Sequence, residues 1–250
     1  MKLMNWTSVR RRVRVGVVGR VGPVRAFRNH EYLRHNARRQ EHLASLGIPV
    51  AGSSVLEVGA GIGDHSHYFL DRGCRTTITE ARQENLRLLR KRYPSADVRR
   101  LDLEDPVTLP GAPFDVVYCY GTLYHLSRPA PAIRYLSDNC SRTLLLETCV
   151  SFGDELTVNR TPEDRRAPSQ ALSGTGCRPT RPWMMRELQK HFEFVYVPVT
   201  QPNHDEFPID WTRRDRHGAV LARAVFVASR SHVESPLLAT ELPAEQRRHL

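Results

Sequence analysis

The segment from Ser54 to Leu70 constrains the possible fold of this chain more than any other part of the sequence. Residues 55–58 form a short apolar run with Glu57 near its end, glycines alternate over residues 59–63, and an amphipathic helical pattern follows. This order predicts a strand, a tight turn and the start of a helix. Because a helix start presents unpaired N–H groups and the positive end of the helix dipole, it favours an anionic group of a ligand.

Three glycines in this turn, Gly59, Gly61 and Gly63, have the spacing G-x-G-x-G, which differs from the G-x-G-x-x-G of dinucleotide-binding proteins. Glycine allows positive φ angles and a close approach of a ligand to the backbone. With Glu57 two residues before the first glycine, the segment resembles motif I of the class I S-adenosylmethionine (SAM) methyltransferases. The resemblance implies that the glycines contact SAM and that Glu57 lies near its methionine end. A glycine-rich turn that binds nothing is the alternative.

Acidic residues also occur at the ends of the next two predicted strands. Residues 75–80 form a β-branched run that ends at Glu80, 17 positions after Gly63. A carboxylate at about this place can accept hydrogen bonds from both hydroxyls of a cofactor ribose. A strand predicted over residues 97–101 leads into Asp102 and Leu103. The resemblance implies that Asp102 accepts from the adenine amino group and that the Leu103 N–H meets a ring nitrogen. For both acids, an ordinary solvated residue is the alternative.

The sequence FDVVYCYGTLYHLSRP, residues 114–129, predicts a buried central strand that ends at Tyr120. Because open α/β sheets bind ligands at the carboxyl ends of their strands, Tyr120 is assigned to the cofactor site. The Tyr-His-Leu step that follows is similar to methyltransferases of small molecules and to those that modify the wobble uridine of tRNA. His125 in this step is the candidate general base, since an unperturbed pKa of about 6.5 suits proton transfer at physiological pH. A histidine that only caps the turn is the alternative.

The remaining periodicity predicts the other elements of the fold. Helices are expected over residues 30–46, 64–71, 82–92, 131–139 and 181–191, and strands over residues 143–150, 192–199 and 219–229. The predicted fold class is α/β, a doubly wound, mostly parallel, Rossmann-like sheet of seven strands. The resemblance implies that the last strand is antiparallel. It also makes three arginines of the first helix candidates for the methionine carboxylate of SAM: Arg34, Arg38 and Arg39.

Composition divides the chain into three parts. We expect a basic N-terminal extension at residues 1–29, the methyltransferase domain at residues 30–230, and a polar C-terminal tail at residues 231–250. Within the domain, residues 151–180 are rich in Gly, Ser, Pro, Arg and Thr without a period, which predicts an irregular insert that serves as a lid or is disordered.

Cysteine usage and hydropathy favour a cytoplasmic protein without a transmembrane segment. The five cysteines are odd in number and contain no C-x-x-C pair, as is typical of reduced thiols rather than a zinc site or disulfide framework. No apolar run reaches the roughly 18 residues that a spanning helix needs. The sequence also lacks an obvious set of acidic and amide ligands for catalytic magnesium, so no metal site is expected.

The formal net charge of +10 is concentrated near the N-terminus, where ten arginines lie between Arg10 and Arg39. Such a cluster can bind RNA phosphates, or it can be a solvated extension, which we favour. The sequence thus predicts a SAM-dependent enzyme that methylates an oxygen or nitrogen of a small molecule. The alternatives are a methyltransferase of tRNA or other RNA, and a SAM-binding interaction protein without catalysis.

Overall fold

The computed structural model describes residues 22–213 and 221–249. The strands of its main sheet are β1 (Ser54–Val58), β2 (Arg75–Glu80), β3 (Asp97–Arg100), β4 (Phe114–Tyr120), β5 (Cys140–Val150), β8 (Phe194–Pro198), β10 (Ala222–Ser229) and β11 (Leu238–Ala239). Their order across the sheet is β11-β8-β10-β5-β4-β1-β2-β3. β1 to β5 are mutually parallel, whereas β10 is antiparallel to both of its neighbours, β5 and β8.

This sheet confirms the predicted α/β class and the antiparallel direction of the last long strand. It has eight strands rather than the predicted seven, because the two-residue strand β11 pairs with the outer edge of β8. Two residues are too few to show the period-2 pattern by which strands are recognised in a sequence.

The helices are α1 (Pro23–Phe27), α2 (His30–Ser45), α3 (Ser66–Leu70), α4 (Gln83–Arg92), α5 (Pro129–Asp138) and α6 (Arg181–Gln189). α2 begins after Asn29, whose side chain accepts a hydrogen bond from the Tyr32 N–H at 3.0 Å. α5 begins at Pro129, two residues before its predicted start, because proline is well accommodated at the first helical position.

Alternate residues of β4 separate into two apolar clusters on opposite faces of the sheet. Val117 and Cys119 pack in the cluster that includes α5 and α6, whereas Val116 and Tyr118 pack in the cluster that includes α2 and α3. With both faces covered by helices, the carboxyl ends of the parallel strands are where side chains can surround a ligand.

The insert at residues 151–180 differs from its prediction. It contains a hairpin of two antiparallel strands, β6 (Val158–Pro162) and β7 (Thr175–Pro179), joined by a loop over residues 163–174. The expectation of a segment without regular structure is therefore wrong. The hairpin was missed because its strands lack alternating apolar residues and because a long loop separates them.

Both predicted terminal segments take part in the domain. Residues 1–21 lie outside the described residues, but α1 falls within the supposed extension and its Phe27 is buried. In the supposed tail, β12 (Arg247–Arg248) pairs with β9 (Thr200–Gln201), and Gln246 accepts a hydrogen bond from Trp211 Nε1 at 2.7 Å. Among the described residues, no helix has the length and apolar character needed to cross a membrane.

Candidate functional site

A cavity of about 440 Å³ opens at the carboxyl ends of β1, β2 and β4. The strand ends and the turns that follow them bring most of the predicted site residues to its wall. These are Gly59, Gly61, Glu80, Asp102, Leu103, Tyr120 and His125. Two predicted residues, Glu57 and Gly63, do not line this cavity.

Gly61 and Gly63 both have positive φ angles, of +60° and +81°, but they serve different contacts. A Cβ on Gly61 would lie 3.0 Å from the ring of Phe27, at the cavity wall. A Cβ on Gly63 would lie 2.5 Å from Tyr93 and 2.8 Å from Leu89, which belongs to α4. Gly63 therefore allows the turn to pack against α4, and its contact with the cofactor stays a prediction.

Glu80 ends β2 and fixes the glycine turn. Its Oε2 accepts a hydrogen bond from the Gly61 N–H at 2.9 Å, and its Oε1 accepts one from the Arg82 N–H at 2.8 Å. Burial raises the pKa of this carboxyl, and the backbone hydrogen bonds oppose that shift. Each carboxylate oxygen can accept a second hydrogen bond, so Glu80 can hold the turn and bind a ligand together.

Asp102 and Leu103 form the next part of the wall, just after β3. Asp102 Oδ1 accepts from the Glu104 N–H at 3.0 Å, and Glu104 accepts from the Ser127 N–H at 2.5 Å. The turn predicted to contact adenine is thus joined to the segment that follows His125.

Glu57 lies in a second, smaller cavity of about 30 Å³. Gly59 and Tyr120 line both cavities, so the two are neighbours. Glu57 is 1% exposed, and its Oε2 has no hydrogen-bond partner among the described residues. Burial raises the pKa of Glu57 to about 7. The small cavity therefore contains a carboxyl group that titrates close to neutral pH.

Of the three candidate arginines on α2, Arg39 is the one that points inward. It is 3% exposed and pairs with the buried Glu147, whereas Arg34 and Arg38 pair with Glu31 and Glu41 at the surface. Glu147 lies in β5. Although burial alone would raise the pKa of Glu147, Arg39 and Arg223 hold it below its usual range.

Arg223 extends this pairing to the wall of the main cavity. It donates to Glu147 Oε1 at 3.1 Å, to Glu206 Oε2 at 2.5 Å and to the Tyr124 hydroxyl at 3.2 Å. Arg223 was not among the predicted site residues. A charged residue at the start of an otherwise apolar strand was the signal that could have identified it.

A polar group beside Arg223 consists of His35, His204 and Glu206. Each offers one atom that could coordinate a metal ion, and these three atoms lie within 4.8 Å of one another. Two of the three are already engaged, since His204 Nδ1 accepts from the Glu206 N–H at 3.3 Å and Arg223 donates to Glu206. The Nε2 atoms of His35 and His204 are buried and have no hydrogen-bond partner among the described residues, although His35 Nε2 lies 3.7 Å from Glu206 Oε2. This group is arranged to hydrogen-bond to a polar ligand. Asp210, farther along the chain, accepts from the N–H and hydroxyl of Thr212.

His125 belongs to a single 3₁₀ turn (Leu123–His125) and contacts Glu163 of the insert, Nδ1 to Oε2, at 2.5 Å. Burial lowers the pKa of His125, and the hydrogen bond and charge of Glu163 oppose that shift. Burial thus favours the neutral form of this imidazole. Glu163 was not predicted, because it lies in a segment without any periodicity.

Arg82 anchors the insert beside Glu80. Its guanidinium donates to the carbonyl oxygens of Arg165 at 3.1 Å and Gln170 at 2.9 Å. Asn85 donates to the Pro168 carbonyl at 3.2 Å. The loop of the insert is therefore held over the cavity, where Pro168, Ser169, Gln170 and Leu172 form part of the wall.

A family model described as a methyltransferase domain matches residues 55–144. Among curated proteins, the chain is 33% identical over 135 residues to the tRNA U34 carboxymethyltransferase of Actinobacillus succinogenes, a match that covers 50% of this chain and 40% of that protein. It is 31% identical over 180 residues to the protein of the same name from Hahella chejuensis, covering 67% of this chain and 54% of that one. The chain thus spans about half, or less, of the length of these relatives.

Solved structures share the fold. The N-terminal domain of EvdMO1, crystallised in the presence of SAH and D-fucose, superposes with a TM-score of 0.59 at 20% identity, covering 81% of this chain and 84% of that one. An S-adenosylmethionine-dependent methyltransferase from Mesorhizobium loti superposes with a TM-score of 0.53 at 17% identity, covering 82% and 100%.

Proposed function

This chain belongs to the class I S-adenosylmethionine-dependent methyltransferases, a family whose cofactor is SAM, and we propose that it methylates an oxygen or nitrogen atom of a small molecule. One observation carries the proposal. A single cavity brings the residues expected to bind the adenosine of SAM together with a neutral imidazole and a group of buried polar side chains.

The residues of the cavity fit the cofactor. Glu80 has free acceptor capacity for the ribose, and Asp102 and Leu103 lie on the same wall for the adenine. The unpartnered Oε2 of Glu57, in the neighbouring small cavity, suits the ammonium group of the methionine part. When bound, SAM supplies an electrophilic methyl group on a sulfonium.

The chain contributes positioning and proton transfer. Holding the acceptor atom in line with the methyl group supplies much of the acceleration in a direct displacement. His125, neutral and on the cavity wall, takes the proton that an oxygen or nitrogen nucleophile loses. The unpartnered Nε2 atoms of His35 and His204 are available to orient the acceptor.

The lining of the cavity favours a small acceptor. Its wall includes Phe27 and Tyr32 from the N-terminal helices as well as the loop of the insert, so a ligand is surrounded from several sides. A second candidate function is modification of tRNA, which the names of the curated relatives favour. The five buried free cysteines agree with our further proposal of a cytoplasmic location.

Methyl-labelled SAM tests these proposals directly. We expect the purified protein to transfer the label to a compound in a low-mass metabolite extract. His125→Ala should reduce that labelling by roughly 10²–10⁴-fold, with little change in the affinity for S-adenosylhomocysteine (SAH), the demethylated cofactor. Label in total tRNA at physiological salt would instead establish the second candidate. SAH binding by calorimetry with no label in either pool would show a binding protein without catalysis.

A further inference from the structure

Glu163 begins the loop of the insert and is surrounded by hydrogen-bond donors. Its side chain is 2% exposed. Oε2 faces Nδ1 of His125 at 2.5 Å and accepts from the Ala171 N–H at 2.7 Å, while the Arg178 guanidinium lies 3.3 Å from Oε1. Although burial alone would raise the pKa of Glu163, its hydrogen bond with His125 and these other donors hold it below the usual range. The carboxylate is therefore ionised at neutral pH.

An ionised carboxylate only accepts hydrogen bonds, so the nitrogen that faces it must carry the proton. For His125 this nitrogen is Nδ1. In the neutral imidazole the lone pair is then on Nε2, the nitrogen that a general base uses to take a proton.

We propose that Glu163 is a positioning residue, which holds His125 in the Nδ1-protonated tautomer so that Nε2 receives the proton of the methyl acceptor. This inference rests on the proposed role of His125 as general base. Glu163 touches neither the acceptor nor the cofactor in this account, and acts through the imidazole alone.

Strand β7 explains how a residue of the insert reaches the 3₁₀ turn. Gly176 makes room for the carboxylate, because a Cβ there would lie 2.3 Å from Glu163 Oε1 and 2.5 Å from the Tyr124 carbonyl oxygen. Arg178 donates to that same carbonyl at 3.1 Å. The insert thus supports both the turn that carries His125 and the carboxylate that orients it.

Nitrogen NMR of ¹⁵N-histidine-labelled protein tests the proposal without a known acceptor, with His125→Gln used to assign the signals. In the SAH-bound wild type we expect Nδ1 protonated and Nε2 unprotonated. In Glu163→Gln we expect this preference to be lost and the pKa of His125 to fall by roughly 1–3 units, because an opposite charge in contact has been removed. Glu155→Gln, an exposed acid of the same insert, is the control and should leave both quantities unchanged.

Gly176→Ala is a second variant, which keeps the carboxylate but displaces it, and it should shift the tautomer in the same direction. Once an acceptor is known, Glu163→Gln should lower kcat, and the acid limb of its pH profile should move to lower pH as the pKa of His125 falls. Protonated Nε2 in the wild type, or identical tautomer and pKa in wild type and Glu163→Gln, would overturn the inference. A wild type that transfers no methyl group would overturn the proposed function instead, and the NMR result would still stand.

Discussion

Glu57 leads to a prediction about stability as a function of pH. Burial raises the pKa of its carboxyl to about 7 in the folded protein, against 4.5 for an ordinary glutamate. Between these two values the folded state binds the proton more tightly than the unfolded chain does. Raising the pH through this window therefore lowers the free energy of unfolding. At 1.36 kcal/mol per pKa unit, the loss amounts to about 3 kcal/mol above pH 7.

Glu57→Gln removes this dependence, because glutamine resembles the protonated acid in shape and stays neutral. We expect the variant to match the wild type near pH 4.5 and to be more stable at pH 8 by up to about 3 kcal/mol. For a domain of this size that corresponds to a rise in Tm of roughly 6–12 °C. Calorimetric unfolding at the two pH values measures it, and Glu193→Gln, at an exposed position, is the control.

Two results would refute this reasoning. If Glu57→Gln were less stable than the wild type at pH 8, the carboxylate would have a partner that stabilises its charge. If both proteins lost stability equally between pH 4.5 and pH 8, another group would be responsible. A variant stabilised only at the higher pH is the expected signature of an acid whose burial outweighs the opposing influence of Ser66 and Arg92 on its pKa.

Two further predictions concern the cofactor. Glu80→Ala should weaken SAH binding by about 10–150-fold, the equivalent of one hydrogen bond to a charged group. It should also destabilise the fold, since each unpaired N–H at Gly61 and Arg82 costs about 1–3 kcal/mol. An unchanged calorimetric Kd would show that another residue holds the ribose. Gly61→Val should abolish the rise in Tm that SAH produces, because residue 61 has a positive φ and lies next to the Phe27 ring. The control is Gly73→Val, which has a similar φ of +69° but open space around it and should keep that rise. Equal SAH responses in both glycine variants would contradict the assignment of the turn.

The sequence predicted the sheet because its signals are local. Buried parallel strands appear as short apolar runs, and Glu80 and Asp102 follow them directly, so topology brings both acids to one edge. The spacing of the glycines did not show that Gly63 packs against α4, since a contact with a distant helix leaves no local pattern.

Other parts of the site depend on contacts between distant segments, which leave no local pattern. Glu163 approaches His125 only because a hairpin forms within the insert, and Arg223 meets Glu147 across two antiparallel strands. α1 was assigned to a solvated extension because arginines dominate the composition there. The structure instead buries Phe27 against the glycine turn.

The position of β10 has a consequence for how the protein is made. This strand is the last of the long strands in the chain, yet it lies between β5 and β8. During synthesis, therefore, the sheet stays divided and two strand edges remain unpaired until β10 has emerged from the ribosome. The inner side of α2 gains its partner only when β5 has been made, because Glu147, which pairs with Arg39, lies on β5 beside the gap that β10 fills. An early helix thus waits for a later strand, and a chaperone that shields open strand edges would act on this nascent chain before β10 emerges.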